Sequence, residues 1–343
     1  MKKIKRIIMI AGMVLIPILY HFSAFAQTDL KAKVNLLKPK DFPTQPIEFV
    51  VVYSAGGGMD VTARILAKHV EKYINSQVVV INKGGGAGLI GHTFLASMAK
   101  NDGYTVGILN DALWLDSLLR AKGQWNYKDL EPLIFIHDDP RTVVVSTAGK
   151  LKDKSIKEVI EMGIKQPKTI KAGVVMATSG EYLLDRFEMA FGAKFLKVPF
   201  QGGAPSLIAL LGGHTDFSPQ YIGEYKPHLD AGKVKILALC VEERDEKFFP
   251  NLPTVNEVMG REDLISHSWR FAAVPKGIPR DRFKYLEAAI DATLHDPEFI
   301  KDFEITGAPI GRKFMNAQQT AAEIEKYFKM DRAFLLQTGR LSK

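Results

Sequence analysis

Cysteine is the first thing this chain of 343 residues almost lacks: Cys240, inside the apolar run "VKILALCV", is the only one. An internal disulfide is therefore excluded, and the lone thiol reads as a small buried hydrophobe. Long apolar runs are scarce too. Only the first 26 residues carry one, so the mature chain is expected to be soluble. No block of basic residues interleaved with aromatics occurs, which speaks against a nucleic-acid partner. Also missing are G-x-S-x-G, H-E-x-x-H and any metal-spaced cluster of Cys and His. The eight His are scattered, and His137 precedes two Asp without a nucleophile nearby in sequence. The expectation is a protein that is no enzyme and needs neither metal nor cofactor.

What is present begins with a secretion signal over residues 1–26. Lys2, Lys3, Lys5 and Arg6 form a basic head, "IIMIAGMVLIPIL" an apolar middle, and "AFA" a small-residue cleavage site before Gln27. An uncleaved anchor is the competing reading, which Pro17 and His21 disfavour. The cut site has no cysteine for a lipid anchor, so the expected address is a bacterial periplasm. Those four head residues carry half of the formal net charge of +8, and the rest is a mild excess spread over solvated helix faces.

Residues 27–45, with "KPKDFPTQP", read as a mobile lead-in. From Pro46 the chain alternates β-rich runs, turns and amphipathic helices, the pattern of parallel sheets with right-handed crossovers. "IEFVVVY", "SQVVVIN" and "GYTVGILN" read as the first three strands. "LEPLIFIHDD" and "RTVVVST", separated by Pro140, read as two runs passing between lobes, and a second α/β series follows. The late helices "PRDRFKYLEAAIDATLHD" and "NAQQTAAEIEKYFKMDRAFLLQTG" are expected to pack back on the first lobe. The predicted organisation is residues 46–138 with 246–343 as lobe 1 and 139–245 as lobe 2.

Two glycine turns stand at strand ends where helices begin: "SAGGGMD" (Ser54–Asp60) and "KGGGAGLIG" (Lys83–Gly91). In an open parallel sheet, ligands sit at such places. The first amides of a helix lack partners and carry partial positive charge, and glycine lets a ligand come close. A Walker loop is excluded because Met59 and Asp60 follow the glycines. "GAGLIG" matches a dinucleotide fingerprint, but that hexamer is a weak signal by itself. The plain alternative is a pair of tight βα turns. Asp60 reads as a helix cap or as a ligand contact.

Seven segments in order carry a family resemblance: "VVVYSAGGGMDVTARILA", "VINKGGGAGLIG", "NDGYTVGI", "KVPFQGGAPSLIALLGGHTDF", "LDAGKVKILAL", "LPTVNEVMG" and "SWRFAAVPKGIP". From about Pro46 to Gly307 the chain resembles the solute-binding receptors of tripartite tricarboxylate transporters, the family expanded in Bordetella. The resemblance implies an α/β, two-lobed class II periplasmic binding protein. Each lobe would be a mostly parallel sheet flanked by helices, with the ligand cleft between. It implies capture of a small di- or tricarboxylate, possibly aromatic, by a monomer that delivers it to membrane permease subunits. A ligand-dependent sensor feeding a membrane kinase is the alternative, and a periplasmic hydrolase a poorer one.

Carried over, the ligand residues are Tyr53, Ser54, Gly57, Gly58 and Asp60 from the first turn. The second turn supplies Gly86, Ala87 and Gly88, and the third strand's end Asn110. Lobe 2 would add Thr178, Ser179, Gln201, Gly202 and Ser218. Met59 replaces the family's usual hydroxyl, and Tyr182 stands where many members carry His; Met176 and Glu181 also alter the far wall. In the pair Trp269–Arg270, Trp269 reads as a filler of the first lobe's core and Arg270 as structural, although an arginine there could clamp a carboxylate.

Overall fold

The computed structural model describes residues 29–342 except 242, 245, 247, 248 and 309–313. The signal segment 1–26 lies outside the described residues. Among the described residues, no helix is long and apolar enough to cross a membrane.

Among the described residues nine strands make one hydrogen-bonded sheet. They are β1 (Ile47–Val51), β2 (Val78–Asn82), β3 (Thr105–Leu109), β4 (Leu130–Ser146), β5 (Lys171–Val175), β6 (Leu196–Phe200), β7 (Phe217–Tyr221), β8 (Val234–Leu239) and β9 (His267–Pro275). Eight form a continuous path, and β8 branches from β4. In lobe 1, β2, β1 and β3 are parallel, and β9 joins β3 antiparallel. In lobe 2, β6, β5 and β7 are parallel, while β4 pairs antiparallel with both β7 and β8. Each lobe is thus a mixed sheet with a parallel half. The first seven strands are each followed by a helix: α1 (Gly58–Ile74), α2 (Leu89–Ser97), α3 (Ala112–Leu119), α4 (Ile156–Lys165), α5 (Ser179–Phe191), α6 (Gly203–Leu211) and α7 (Ile222–Asp230). The later helices are α8 (Val255–Met259), α9 (Arg280–Leu294), α10 (Pro297–Glu304) and α11 (Ala317–Gln337).

The two runs expected on either side of Pro140 are one strand of 17 residues. Up to Pro140, β4 pairs with β9; from Arg141 it pairs with β7 and β8. Pro140 sits at this exchange of partners, where its missing N–H disturbs the ladder least. Thus β4 and β9 carry the chain between lobes as paired strands rather than as loose linkers.

Three apolar clusters follow the sheet. The largest joins β1, β3 and β9 to α1, α9 and α11 through Phe49, Leu66, Val70, Phe271, Leu286 and Ile324. In lobe 2 the pleat of β4 divides the core: Val143 and Val145 face Phe187 and Phe217, whereas Val144 faces Leu207, Ile222 and Tyr225. Residues 29–36 are helical, with Val34 and Phe42 buried in the lobe 1 core. Phe42 packs on Tyr104, its ring centroid 4.8 Å away, and under Arg282. An aromatic inserted this way gains enough apolar contact to offset ordering the polar residues around it.

Candidate functional site

At the end of β1 the chain turns through Gly56, which has φ of +80°, and enters α1 from Gly57 in extended backbone. Neither Gly57 nor the corresponding residues Thr178 before α5 and Gly202 before α6 caps its helix with a side chain. By contrast, α4, α8, α10 and α11 start on Ser155, Thr254, Asp296 and Asn316, each accepting a hydrogen bond from its own helix. The helix starts that approach across the cleft thus lack such caps, and their first amides are left without a side-chain partner of their own helix. A Cβ on Gly57 would lie 4.0 Å from Ala204 N, and one on Gly202 3.7 Å from Ser54 N.

Arginines brought by the two inter-lobe strands cover two of these starts. Arg270 of β9 donates to Thr62 Oγ1 at 2.7 Å and pairs with Asp139 of β4. Its guanidinium lies so close to the start of α1 that a Cβ on Gly58 would come within 2.7 Å of it. Arg141 of β4 does the same at α5, where a Cβ on Gly180 would lie 2.5 Å from Nη1. Arg141 donates to Ser266 Oγ (3.1 Å), Pro219 O (3.0 Å), Ser179 Oγ (3.0 Å) and the Tyr221 hydroxyl. The Tyr221 ring takes both cations, Arg141 at 4.0 Å and Arg270 at 5.3 Å from its centroid.

A cation at a helix N-terminus is electrostatically unfavourable. Two carboxylates offset it, each from the opposite lobe. Asp111, after β3, accepts from Ser179 N at the start of α5 (3.3 Å). Glu224, in the first turn of α7, faces Gly58 N at the start of α1 (3.5 Å) and accepts from Tyr221 N (3.1 Å). Burial raises both carboxyls above their usual range. Burial also pushes Asp139 up to about 7, outweighing its Arg270 partner, with Glu224 and Asp138 adding to the rise.

Between these groups lies a cavity of about 40 Å³, lined from lobe 1 by Tyr53, Gly57, Gly58, Asn110, Ser268 and Arg270. Lobe 2 closes it with Arg141, Thr178, Gly202, Gly203, Gln220 and Glu224. That volume holds roughly three waters. Two polar atoms on its lining residues, Gln220 Oε1 and Arg270 Nε, are buried without a hydrogen-bond partner.

Of the residues singled out by sequence, Tyr53, Gly57, Gly58, Asn110, Thr178 and Gly202 line this cavity. Tyr53 donates its hydroxyl to Asn110 Oδ1 (3.2 Å). Ser54 stands at the rim beside Gly202. Asp60 neither caps α1 nor points into the cavity. Its carboxylate accepts from Gly56 N (2.9 Å), Arg64 Nε (2.9 Å) and Asn82 Nδ2 (3.0 Å), pinning the first glycine turn. Burial alone would raise it, but these three donors hold it below the usual carboxylate range.

The second turn runs through positive φ at Gly85, Gly86, Ala87 and Gly88, which explains its glycines. Its Ala87 N donates to Gln201 Oε1 of lobe 2 (2.9 Å), so two of the expected residues meet each other. Gly86 and Ala87 present carbonyls to Arg120, and Gly88 packs against Tyr53. Ser179 is engaged by Arg141, and Ser218 by Ser206 and Gly173 inside lobe 2. Glu181 turns back to Ala177 N (2.7 Å), and Tyr182 packs at 6.2 Å from Phe334. Trp269 is buried in the lobe 1 core.

The sequence reading passed over Arg141, Gln220, Tyr221, Glu224 and Ser268, and it gave Arg270 a structural part. One signal was available: Arg270 is a lone charge inside the otherwise apolar run "SWRFAAVP", and Arg141 opens the apolar run "RTVVVS", where a charge needs a buried partner.

Residues 62–339 match the family model described as "Tripartite tricarboxylate transporter family receptor". Protein BugT of Bordetella pertussis is 28% identical over 271 residues, which span 78% of this chain and 82% of BugT. The solved periplasmic binding protein BugD superposes with a TM-score of 0.81 at 26% identity, covering 88% of this chain and 100% of BugD. Rpa4515 of R. palustris, solved with adipate, superposes with a TM-score of 0.78 at 24% identity over 87% of this chain and 99% of its own. With its fold, its uncapped helix starts and a family match over most of its length, this chain belongs to the tripartite tricarboxylate transporter family of receptors.

Proposed function

We propose that this receptor captures a small organic carboxylate between its lobes outside the cytoplasm and hands it to a membrane permease. The observation that carries the reading is the two-sided cavity, where uncapped helix starts of opposite lobes converge beside Arg141 and Arg270. Such amides and a guanidinium are the donors that a carboxylate recognises. The adipate found in a protein of the same fold supports the ligand class. Tyr53, Gly57, Gly58, Asn110, Thr178 and Gly202 are the proposed contacts. Ser54, Gly86, Ala87, Gly88, Ser179, Gln201 and Ser218 would shape the mouth and walls, and Asp60 would hold the first turn.

A cavity of this size admits no organic acid, so the lobes, proposed as 46–138 with 246–343 and 139–245, must part and close again. Rotation about the paired strands β4 and β9 is the natural hinge. The chain would act as a monomer, after removal of residues 1–26, and would return its ligand unchanged. A thermal-shift screen of organic acids tests the reading. Ligand at a hundred times Kd adds about 2.7 kcal/mol of stability, and NMR of the mixture should show no product. Stabilisation by sugars or simple amines alone, with none by acids, would falsify the reading.

A further inference from the structure

The Glu224 carboxylate lies where the starts of α1 and α6, from opposite lobes, come together. It faces Gly58 N at 3.5 Å, and a Cβ on Gly203 would run into its oxygens, so only glycine fits there. The chain's own acid thus occupies the place between two helix starts where a ligand's anionic end would sit. It is held from behind by Tyr221 N, which keeps it at the cavity wall. A second buried acceptor points the same way: Gln220 Oε1 on the cavity lining has no partner, its amide nitrogen being engaged by Ser218 Oγ at 2.9 Å. Among the described residues, the buried side-chain donor on the cavity lining without a partner is Arg270 Nε. The cavity therefore has two signs, acceptors at Glu224 and Gln220 and a cation at Arg270.

We propose that Glu224 sets the ligand class: this receptor takes a monocarboxylate whose other end carries a hydrogen-bond donor, and discriminates against dicarboxylates. The ligand's single carboxylate is met by Arg270 and the free amides. Its far end, a hydroxyl, amide or ammonium group, donates to Glu224 and Gln220. A second carboxylate at that end meets the Glu224 carboxyl and an unmet acceptor, neither of which can donate to it without taking a proton, an unfavourable pairing of the kind that generates specificity. This inference rests on the carboxylate-receptor reading given above.

The test measures binding by calorimetry for matched pairs, succinate against succinamate and adipate against 6-hydroxyhexanoate, with the full mature chain and with Glu224→Gln. Glutamine keeps an oxygen for Tyr221 N and removes the charge, and circular dichroism confirms that the variant folds. The wild type should favour the donor-ended partner of a pair by about tenfold or more. In Glu224→Gln that ratio should fall toward unity or invert. A purely structural Glu224 would weaken both partners equally and leave the ratio alone, which overturns the proposal. Equal affinity for both members of each pair in the wild type overturns it as well. If no acid binds either protein, the carboxylate-receptor reading itself falls, and the assignment of Glu224 with it.

Discussion

Two helix starts, α1 under Arg270 and α5 under Arg141, are built on one plan and finished differently. In both, a strand running between the lobes lays a buried guanidinium over a first-turn glycine, and an acid from the opposite lobe faces the helix amides. Arg270, however, is held by a carboxylate, Asp139, and keeps one N–H free. Arg141 is held by neutral oxygens from Ser266, Pro219, Ser179 and Tyr221. An ionic partner that itself can take a proton makes the first start adjustable. The second, saturated with neutral acceptors, is a fixed strut.

Removing each arginine separates the two most strongly. Arg270→Ala leaves Asp139 buried beside Glu224 and should cost about 3–5 kcal/mol. The loss in urea unfolding should be greater at pH 8 than at pH 5, where Asp139 is already neutral. Arg141→Ala removes no direct ion pair but strands four neutral acceptors, and should cost less, about 2–3 kcal/mol. Equal losses with equal pH dependence would erase the distinction between the two ends.

The next effect is the pH profile of the wild type. Asp139 has a folded pKa raised to about 7, far above its unfolded value. Its stabilising form is the neutral one, fully present below about pH 4 and lost as pH rises toward 7. Stability should therefore decline over that window, and Asp139→Asn should remove most of that decline. A variant with an unchanged slope would show that Asp139 titrates normally. The smallest change expected is at the rim: Gln201→Ala removes the Ala87 N–Gln201 bond between the lobes. It should cost under about 1 kcal/mol while speeding ligand release in stopped flow. An unchanged release rate would mean that this bond does not hold the lobes together.

Much of the fold was legible in the residues. Continuous apolar runs such as "IEFVVVY" became buried parallel strands, and the spacing of Leu66, Val70 and Ile74 became the buried face of α1. The turns were legible for the same local reason: glycines at strand ends leave amides bare whatever lies opposite. Three local readings met tertiary partners that changed them. The lead-in is tied down by Phe42 under Arg282, the break at Pro140 is bridged by β9, and Asp60 is drawn to Asn82 and Arg64. None of these partners is near in sequence except Arg64.

By itself the sequence determined the alternation of strands and helices, the glycine-bared helix starts and the lone charge of Arg270 in an apolar strand, because each depends only on near neighbours. Tertiary structure alone decided which carboxylate meets which helix. Glu224 lies 166 residues from Gly58, and Asp111 lies 68 from Ser179. The signs of charge lining the cavity come from those long-range pairings, and a buried charge takes its meaning from what is packed against it.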